Sequence, residues 1–410
     1  MEPATTTVDS AQRLPYHALI WLAVALFSTG IDGYVLAGLL PSIASDLRVS
    51  DAAAGQLVSV FALTSALAAP LLGTVTSAWE RRRTIACALT VFVVGNIITA
   101  AAPSYGFAMA GRVIAALGGC LLAAAISGYV VHLAPEHQRG RALSFVLGGW
   151  MTATALGVPV GLVLGQSSWR LPLIMVAVVG TIALVGIVVK LPRLELPAGT
   201  LSERLRPLRQ PRLVATLLVS TGILCSSYTC FTYAVLILKP SFSAHWMIIL
   251  IMFGYGLASL LGNTVTGRLA DRFTPVRVLT VVLIGLLLNG IFGAISFATA
   301  PAGVIAVLGL VWFFVAGIGN GGAAVPQQAR LATMVPGSAA IILALNGSAI
   351  SLGSASGGGL GGLVLTAGGS PARLLIAASV VLLVTLGLHG VVSVRRPPAG
   401  AAPHGGREGP

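Results

Sequence analysis

The chain has 410 residues, of which 56% are hydrophobic and 9% charged, and its mean hydropathy is +0.95. A water-soluble domain of this length would not carry so apolar a composition, so the chain reads as a polytopic membrane protein. The net charge of +13 would suit nucleic acid, but the basic residues sit between apolar runs, where orientation in a bilayer accounts for them, and no nucleic-acid partner is expected.

The polar start MEPATTTVDSAQR belongs to a cytoplasmic tail, 1–16. It runs into an apolar segment longer than a signal-peptide core and without a cleavage pattern, so the first span reads as retained. Apolar runs of about 18 to 25 residues then recur near 17–40, 53–78, 84–102, 106–133, 142–165 and 171–191, giving a six-helix bundle over 17–191. The stretch KLPRLELPAGTLSERLRPLRQPR (190–212), proline-broken and arginine-rich, contains a cytoplasmic linker, 192–212; contact with anionic headgroups is a second role open to it. Six further runs near 213–238, 246–267, 277–299, 302–327, 339–366 and 372–394 give a second bundle over 213–394, followed by a cytoplasmic tail, 395–410. The runs are continuously apolar rather than alternating, which excludes a β-barrel. The fold class is an all-α polytopic membrane protein of twelve transmembrane helices in two pseudo-symmetric six-helix bundles.

Nineteen of the 24 lysines and arginines fall on one side of these spans, in clusters such as Arg81 to Arg83, Arg139 with Arg141, Lys190 to Arg212, and Arg268 to Arg277, with Arg330 alone. Four, Arg48, Arg170, Lys239 and Arg373, fall on the other. That bias puts both termini in the cytoplasm and leaves Arg112 as the one basic residue within a span. Cys87, Cys120, Cys225 and Cys230 lie in apolar runs without zinc or disulfide spacing and read as packing residues. Neither lysine is preceded by glycine, so no GxxxxGK[ST] phosphate loop exists, and no span holds HExxH or an acidic cluster. No cofactor, metal or enzymatic activity is expected.

The two halves repeat. GTVTSAWERRRTI (73–85) aligns with GRLADRFTPVRVL (267–279) at an offset of 194, and GVPVG (157–161) falls opposite SASGGGLGG (354–362). Duplicated halves are how one class of transporter builds two bundles that rock about a midplane site.

The segments AGLLPSIASDLRVS (37–50), GRVIAALGG (111–119), RGRALS (139–144), GVPVGLVLGQSSWR (157–170) and GRLADRFTPVR (267–277), with the acid of GIDGYV before them, span the whole chain. In these it resembles the major facilitator superfamily and, within it, the drug:proton antiporters of the bacterial chloramphenicol-resistance and sugar-efflux group. The resemblance implies a cytoplasmic-side latch at Gly267, Asp271, Arg272 and Arg277, where an acid beside helix ends and arginines has a physical rationale. The first-half copy departs from the pattern: Gly73 is followed by Ser77 and Ala78, and only the basic end, Arg81 to Arg83, is kept.

Asp32 and Arg112 are the only ionisable residues, histidine aside, placed well inside a span. Burying either charge alone costs roughly 2.5 to 3.5 kcal/mol on insertion scales, so such residues usually face a cavity or a partner. Counted along their helices, both lie about 10 to 12 Å from the same membrane face. Two readings stay open: an ion pair that pins two helices, or a proton-coupling and substrate site on a cavity wall. Ser28 and Thr29 share a helix face with Asp32, and Tyr34 follows on the same span. Counted from the span starts near 17 and 213, an offset of about 196, the repeat places Tyr228 near the equivalent of Asp32, and Tyr228 with Thr232 and Thr229 with Tyr233 are i,i+4 pairs suited either to lining a substrate pocket or to helix packing. In GVPVG, Pro159 removes a backbone donor while Gly157 and Gly161 admit a close neighbour, which fits a gating hinge or small-residue packing. His132 and His389 read as interfacial.

The function implied by the resemblance is proton-coupled efflux of small amphipathic molecules such as antibiotics by alternating access. It would act as a monomer in the bacterial cytoplasmic membrane, with protons, substrate and lipid as partners. Export of a sugar or an endogenous metabolite, or a non-transporting membrane sensor, are the alternatives.

Overall fold

The computed structural model describes residues 16–135, 138–194, 201–238, 245–334 and 338–394. The two tails and the middle of the linker lie outside these residues. Among them, twelve helices are long and apolar enough to cross a membrane. They are α1 (Tyr16–Val35), α2 (Asp51–Val75), α3 (Arg81–Ala100), α4 (Tyr105–Leu133), α5 (Arg139–Gly165), α6 (Arg170–Lys190), α7 (Pro211–Phe231), α8 (His245–Arg272), α9 (Pro275–Thr299), α10 (Ala302–Ala332), α11 (Ala339–Thr366) and α12 (Pro371–Val394). An even number of spans puts Tyr16 and Val394 on one side, called here the terminal side; the other is the far side.

Several helices outrun the apolar runs that mark them. The bilayer selects for apolarity only over its own thickness, whereas a helix continues until its backbone is capped. Thus α3 starts at Arg81 because the Glu80 carboxylate accepts hydrogen bonds from the Arg82 and Arg83 amides at 2.7 and 3.2 Å. The same carboxylate accepts from the Leu194 amide at 3.3 Å, and Arg82 donates to the carbonyls of Val188 and Leu191. Glu80 therefore supplies an acid at the first-half loop, and the pair fastens the start of the linker to α3. At the other end of the chain α10 extends to Ala332 and takes Arg330 with it.

The first helix of each half breaks at equivalent places. The α1 helix gives way to a 3-10 turn at Leu36–Gly38 and a short helix Leu40–Leu47, and α7 to a turn at Thr232 and Tyr233 and a short helix Ala234–Leu238. The expected single span over 213–238 is thus two helices with a corner.

Helices α3 and α4 approach closely enough that glycines are needed at the seam. A methyl group on Gly95 would meet the Ala115 backbone, and one on Gly118 would meet the Ala88 carbonyl and, at 2.9 Å, the Phe92 Cα. Backbone cannot yield as a side chain can. Gly118→Leu is expected to lose about 3 kcal/mol of stability and the monodisperse peak in size-exclusion chromatography, while Gly128→Leu, at a position facing open space, leaves both unchanged.

The two bundles meet through α2 with α11 and α5 with α8. The named contacts lie at or beyond mid-span on the far side: Gln56 with Gly362, Ser59 with Gly358, and Thr154 with Gly256. On that side Arg170 Nη1 and the Trp169 indole donate to Asp46 Oδ2 at 2.6 and 3.0 Å. The two donors hold the Asp46 carboxyl below the ordinary aspartate range, the indole bond first and the arginine bond second.

Candidate functional site

Asp32 and Arg112 form an ion pair. Arg112 Nη1 lies 2.6 Å from Asp32 Oδ1, and both residues are 1% exposed. Arg112 is held from two more directions: its Nε donates to the Leu57 carbonyl at 3.3 Å, and the guanidinium lies 4.3 Å from the centre of the Phe61 ring. Asp32 is held from one. Its Oδ2 is buried and has no hydrogen-bond partner among the described residues, an exception to the rule that buried polar atoms are satisfied. The arginine is a fixed anchor, and one oxygen of the carboxylate is not engaged by it.

The position of Asp32 is set by a seam between α1 and α5. The methylene and methyl of Ile31 lie where a side chain on Gly157 would go, and Val35 does the same for Gly161, while a Cβ on Gly30 would stand 2.7 Å from that of Ala153. The GVPVG glycines thus pack against the residues flanking Asp32. Two residues before Pro159, the π-helical turn Ala153–Gly157 ends. Proline cannot donate to the carbonyl four residues back, and a widened turn there is a point at which a helix can flex.

The other first-half residues point elsewhere. The Ser28 hydroxyl donates to the Val176 carbonyl of α6 at 2.9 Å, and Thr29 to the Leu26 carbonyl of its own helix at 3.0 Å. The Ser28 hydroxyl is spent on the contact with α6 and the Thr29 hydroxyl on its own helix, rather than on the Asp32 carboxylate. Tyr34 faces the second half, edge-on to Phe231 with centroids 5.6 Å apart, and its hydroxyl lies beside Trp150 and Tyr228.

In the second half Tyr228 lies 5.8 Å from Phe231, which lies 5.1 Å from Tyr255, itself 4.7 Å from Phe313. Tyr255 accepts a hydrogen bond from Asn320 at 3.1 Å. This aromatic wall draws on α1, α7, α8 and α10. A lipid-facing groove of about 410 Å³ between α8 and α10, lined by Leu250, Tyr255, Leu310 and Phe313 among others, adjoins it. Thr229 bonds back to the Cys225 carbonyl at 2.7 Å. Among the described residues Thr232 Oγ1 is buried without a partner, as is Ser59 Oγ of the first half, and both border Gly358. Tyr233 donates to the Gly358 carbonyl at 3.0 Å, and its ring fills a notch formed by Gly55 of α2 and Gly361 and Gly362 of α11.

A Cβ on Gly267 would stand 3.9 Å from the Val325 side chain, and Asp271, Arg272 and Arg277 are exposed; no ion pair among the described residues includes Asp271. Arg330 and His389, read from sequence as belonging to a loop and an interface, are instead buried and bonded to each other at 3.0 Å. Phe61, Ser59, Phe231, Tyr255 and Phe313 carried no sequence signal that separates them from ordinary span residues, since only the packing of different helices brings them together.

A family model described as Major Facilitator Superfamily matches residues 22–247 and 217–410. The uncharacterized MFS-type transporter YtbD of Bacillus subtilis is 30% identical over 87% of this chain and 90% of its own length. A chloramphenicol resistance protein of Streptomyces lividans is 34% identical over 64% of this chain and 69% of its own. The inner membrane transport protein YdhP of Escherichia coli is 28% identical over 86% and 90%. In fold, the chain is similar to a bacterial homologue of the human lysosomal transporter Spinster in an inward-facing conformation, with a TM-score of 0.75 and 16% identity over 94% of this chain and 100% of that one. It is likewise similar to a D-xylose-proton symporter, with a TM-score of 0.72 and 16% identity over 92% and 97%. The chain belongs to the major facilitator superfamily, a family of membrane transporters rather than enzymes.

Proposed function

We propose that the protein exports small amphipathic molecules from a bacterial cell in exchange for protons, with its termini in the cytoplasm and Asp32 as the proton-carrying group. The observation that carries this reading is the vacant, buried Oδ2 of a carboxylate whose other oxygen is paired to a fixed arginine. A proton, or the donor group of a substrate, has a prepared acceptor there, and loading it weakens the hold of Arg112. One inward proton across about 100 mV and one pH unit supplies about 3.7 kcal/mol, enough for roughly a 500-fold gradient of a neutral solute. The aromatic wall from Tyr34 to Phe313 suits a flat, apolar substrate, and the unpartnered hydroxyls of Ser59 and Thr232 suit its polar groups. The relative named for chloramphenicol resistance supports the same substrate class.

Contacts between the bundles on the far side fit a state open toward the terminal side. The glycines of GVPVG and the π-helical turn before Pro159 would let α5 flex against α1, and the exposed Gly267 to Arg277 segment would engage when the terminal side closes.

The reading is tested by expressing the gene in an efflux-deficient host against a panel of growth inhibitors, then adding each compound that is tolerated to proteoliposomes under an imposed pH gradient. Proton flux stimulated by such a compound is expected; a panel with no shifted inhibitory concentration and no stimulated flux would point to a sensor or to a metabolite exporter.

A further inference from the structure

A second buried polar cluster lies in the half that lacks Asp32. His389 on α12 is 1% exposed and Arg330 on α10 is 8% exposed. Both imidazole nitrogens are engaged: Nδ1 is 3.0 Å from Arg330 Nη1, and Nε2 is 2.9 Å from the Thr280 hydroxyl of α9. A guanidinium has donors only, so Nδ1 must offer it a lone pair. The Thr280 hydroxyl proton goes to the Val276 carbonyl at 2.8 Å, so its oxygen accepts from Nε2. The partners thereby specify the neutral imidazole with its proton on Nε2.

Among the described residues no carboxylate is paired with the arginine. Residues 213–394 contain a single acid, Asp271, exposed at the terminal-side end of α8. The helices around His389 bring basic groups: Arg330 on α10, Arg277 at the start of α9, and Arg212 at the start of α7. Helix α11 has no charged residue, the cysteines and tyrosine of α7 lie toward its other end, and Arg373 is at the far-side end of α12. One turn before Arg330, Gln327 donates to the Thr216 carbonyl and the Ser220 hydroxyl, both at 2.8 Å. That ties α10 to α7 at Gln327, and one turn on the Arg330–His389 bond ties the end of α10 to α12.

We propose that His389 is a second protonation site, facing the terminal side, at which a proton and Arg330 compete for one lone pair. A proton taken from the aqueous phase onto Nδ1 sets a donor against a donor and two positive charges in contact. The hydrogen bond is lost, the guanidinium turns away, and the tie joining α9, α10 and α12 at their terminal-side ends is released. The site does not depend on Asp32 and stands if the efflux reading fails.

The test uses the full chain in lipid nanodiscs, with backbone hydrogen exchange followed by mass spectrometry at about pH 8 and about pH 4, the lower value being needed because a proton must displace a guanidinium from a buried lone pair. Rates are corrected for the intrinsic effect of pH. In the wild type, protection over residues 327–334 and 386–394 is expected to fall about tenfold at the lower pH, the loss of one charge-assisted bond. His389→Gln can accept from Arg330 and donate to Thr280 but takes up no proton, so its protection should be the same at both pH values. Arg330→Gln removes the competitor and should also abolish the response, which keeps the test open if one variant folds poorly. Asp32→Asn should respond as the wild type does. A wild type without the pH response, or a response of equal size in His389→Gln, overturns the proposal.

Discussion

Asp32→Asn is expected to reduce proton-driven export in inverted vesicles by at least about 100-fold, the scale on which a positioned proton-transfer group contributes, while the protein still inserts. An amide has nearly the shape of a carboxylate and its oxygen can accept from Arg112 as Asp32 Oδ1 does at 2.6 Å, so the helix positions survive. What is lost is the ability to change charge. Counterflow of substrate down its own gradient, which needs no proton, should persist in the same vesicles. Full proton-coupled export by the variant would remove Asp32 from the mechanism.

Arg112→Leu is expected to be the more damaging change to stability. It leaves the carboxylate of a residue 1% exposed without its cation, and removing one partner of a buried pair costs about 3 to 5 kcal/mol. Part of that cost belongs to the abandoned charge rather than to the lost contacts with Leu57 and Phe61. Thermal unfolding in detergent should therefore show Asp32→Asn combined with Arg112→Leu to be more stable than Arg112→Leu alone. If the double variant is the sum of the two singles, the pair is not energetically coupled.

The spans were legible because a bilayer imposes a length of apolar chain on each of them, and the Asp32–Arg112 depth match was legible because helical rise converts residue count into distance. Direction around a helix was not. Ser28 and Thr29 share a broad face with Asp32, yet Ser28 meets α6 and Thr29 its own backbone, and nothing in the spacing distinguishes a cavity from a neighbouring helix. A charge at the end of an apolar run looks the same whether the helix stops or continues, so the sequence does not tell that α10 carries Arg330. His389 does lie near the end of its span, but its partner is on another helix and only packing brings the two together. The acid absent from the expected place after Gly73 was found at Glu80, where its role is that of a helix cap and linker clasp.

The corner after α7 turns Tyr233 into a wedge between bundles. Its ring sits among Gly55, Gly361 and Gly362, from two halves that must part if the far side opens. Withdrawing a buried aromatic ring costs about 1.5 to 3 kcal/mol, so this one side chain shifts the resting balance between the two open states by roughly tenfold or more. An added methyl at Gly55 would crowd the ring, with Tyr233 Cζ at 2.6 Å, and tip the balance the other way without altering a charge or a substrate contact. On the alternating-access reading proposed above, the direction in which the empty carrier rests is biased by missing side chains, and one added carbon atom at Gly55 is expected to shift it.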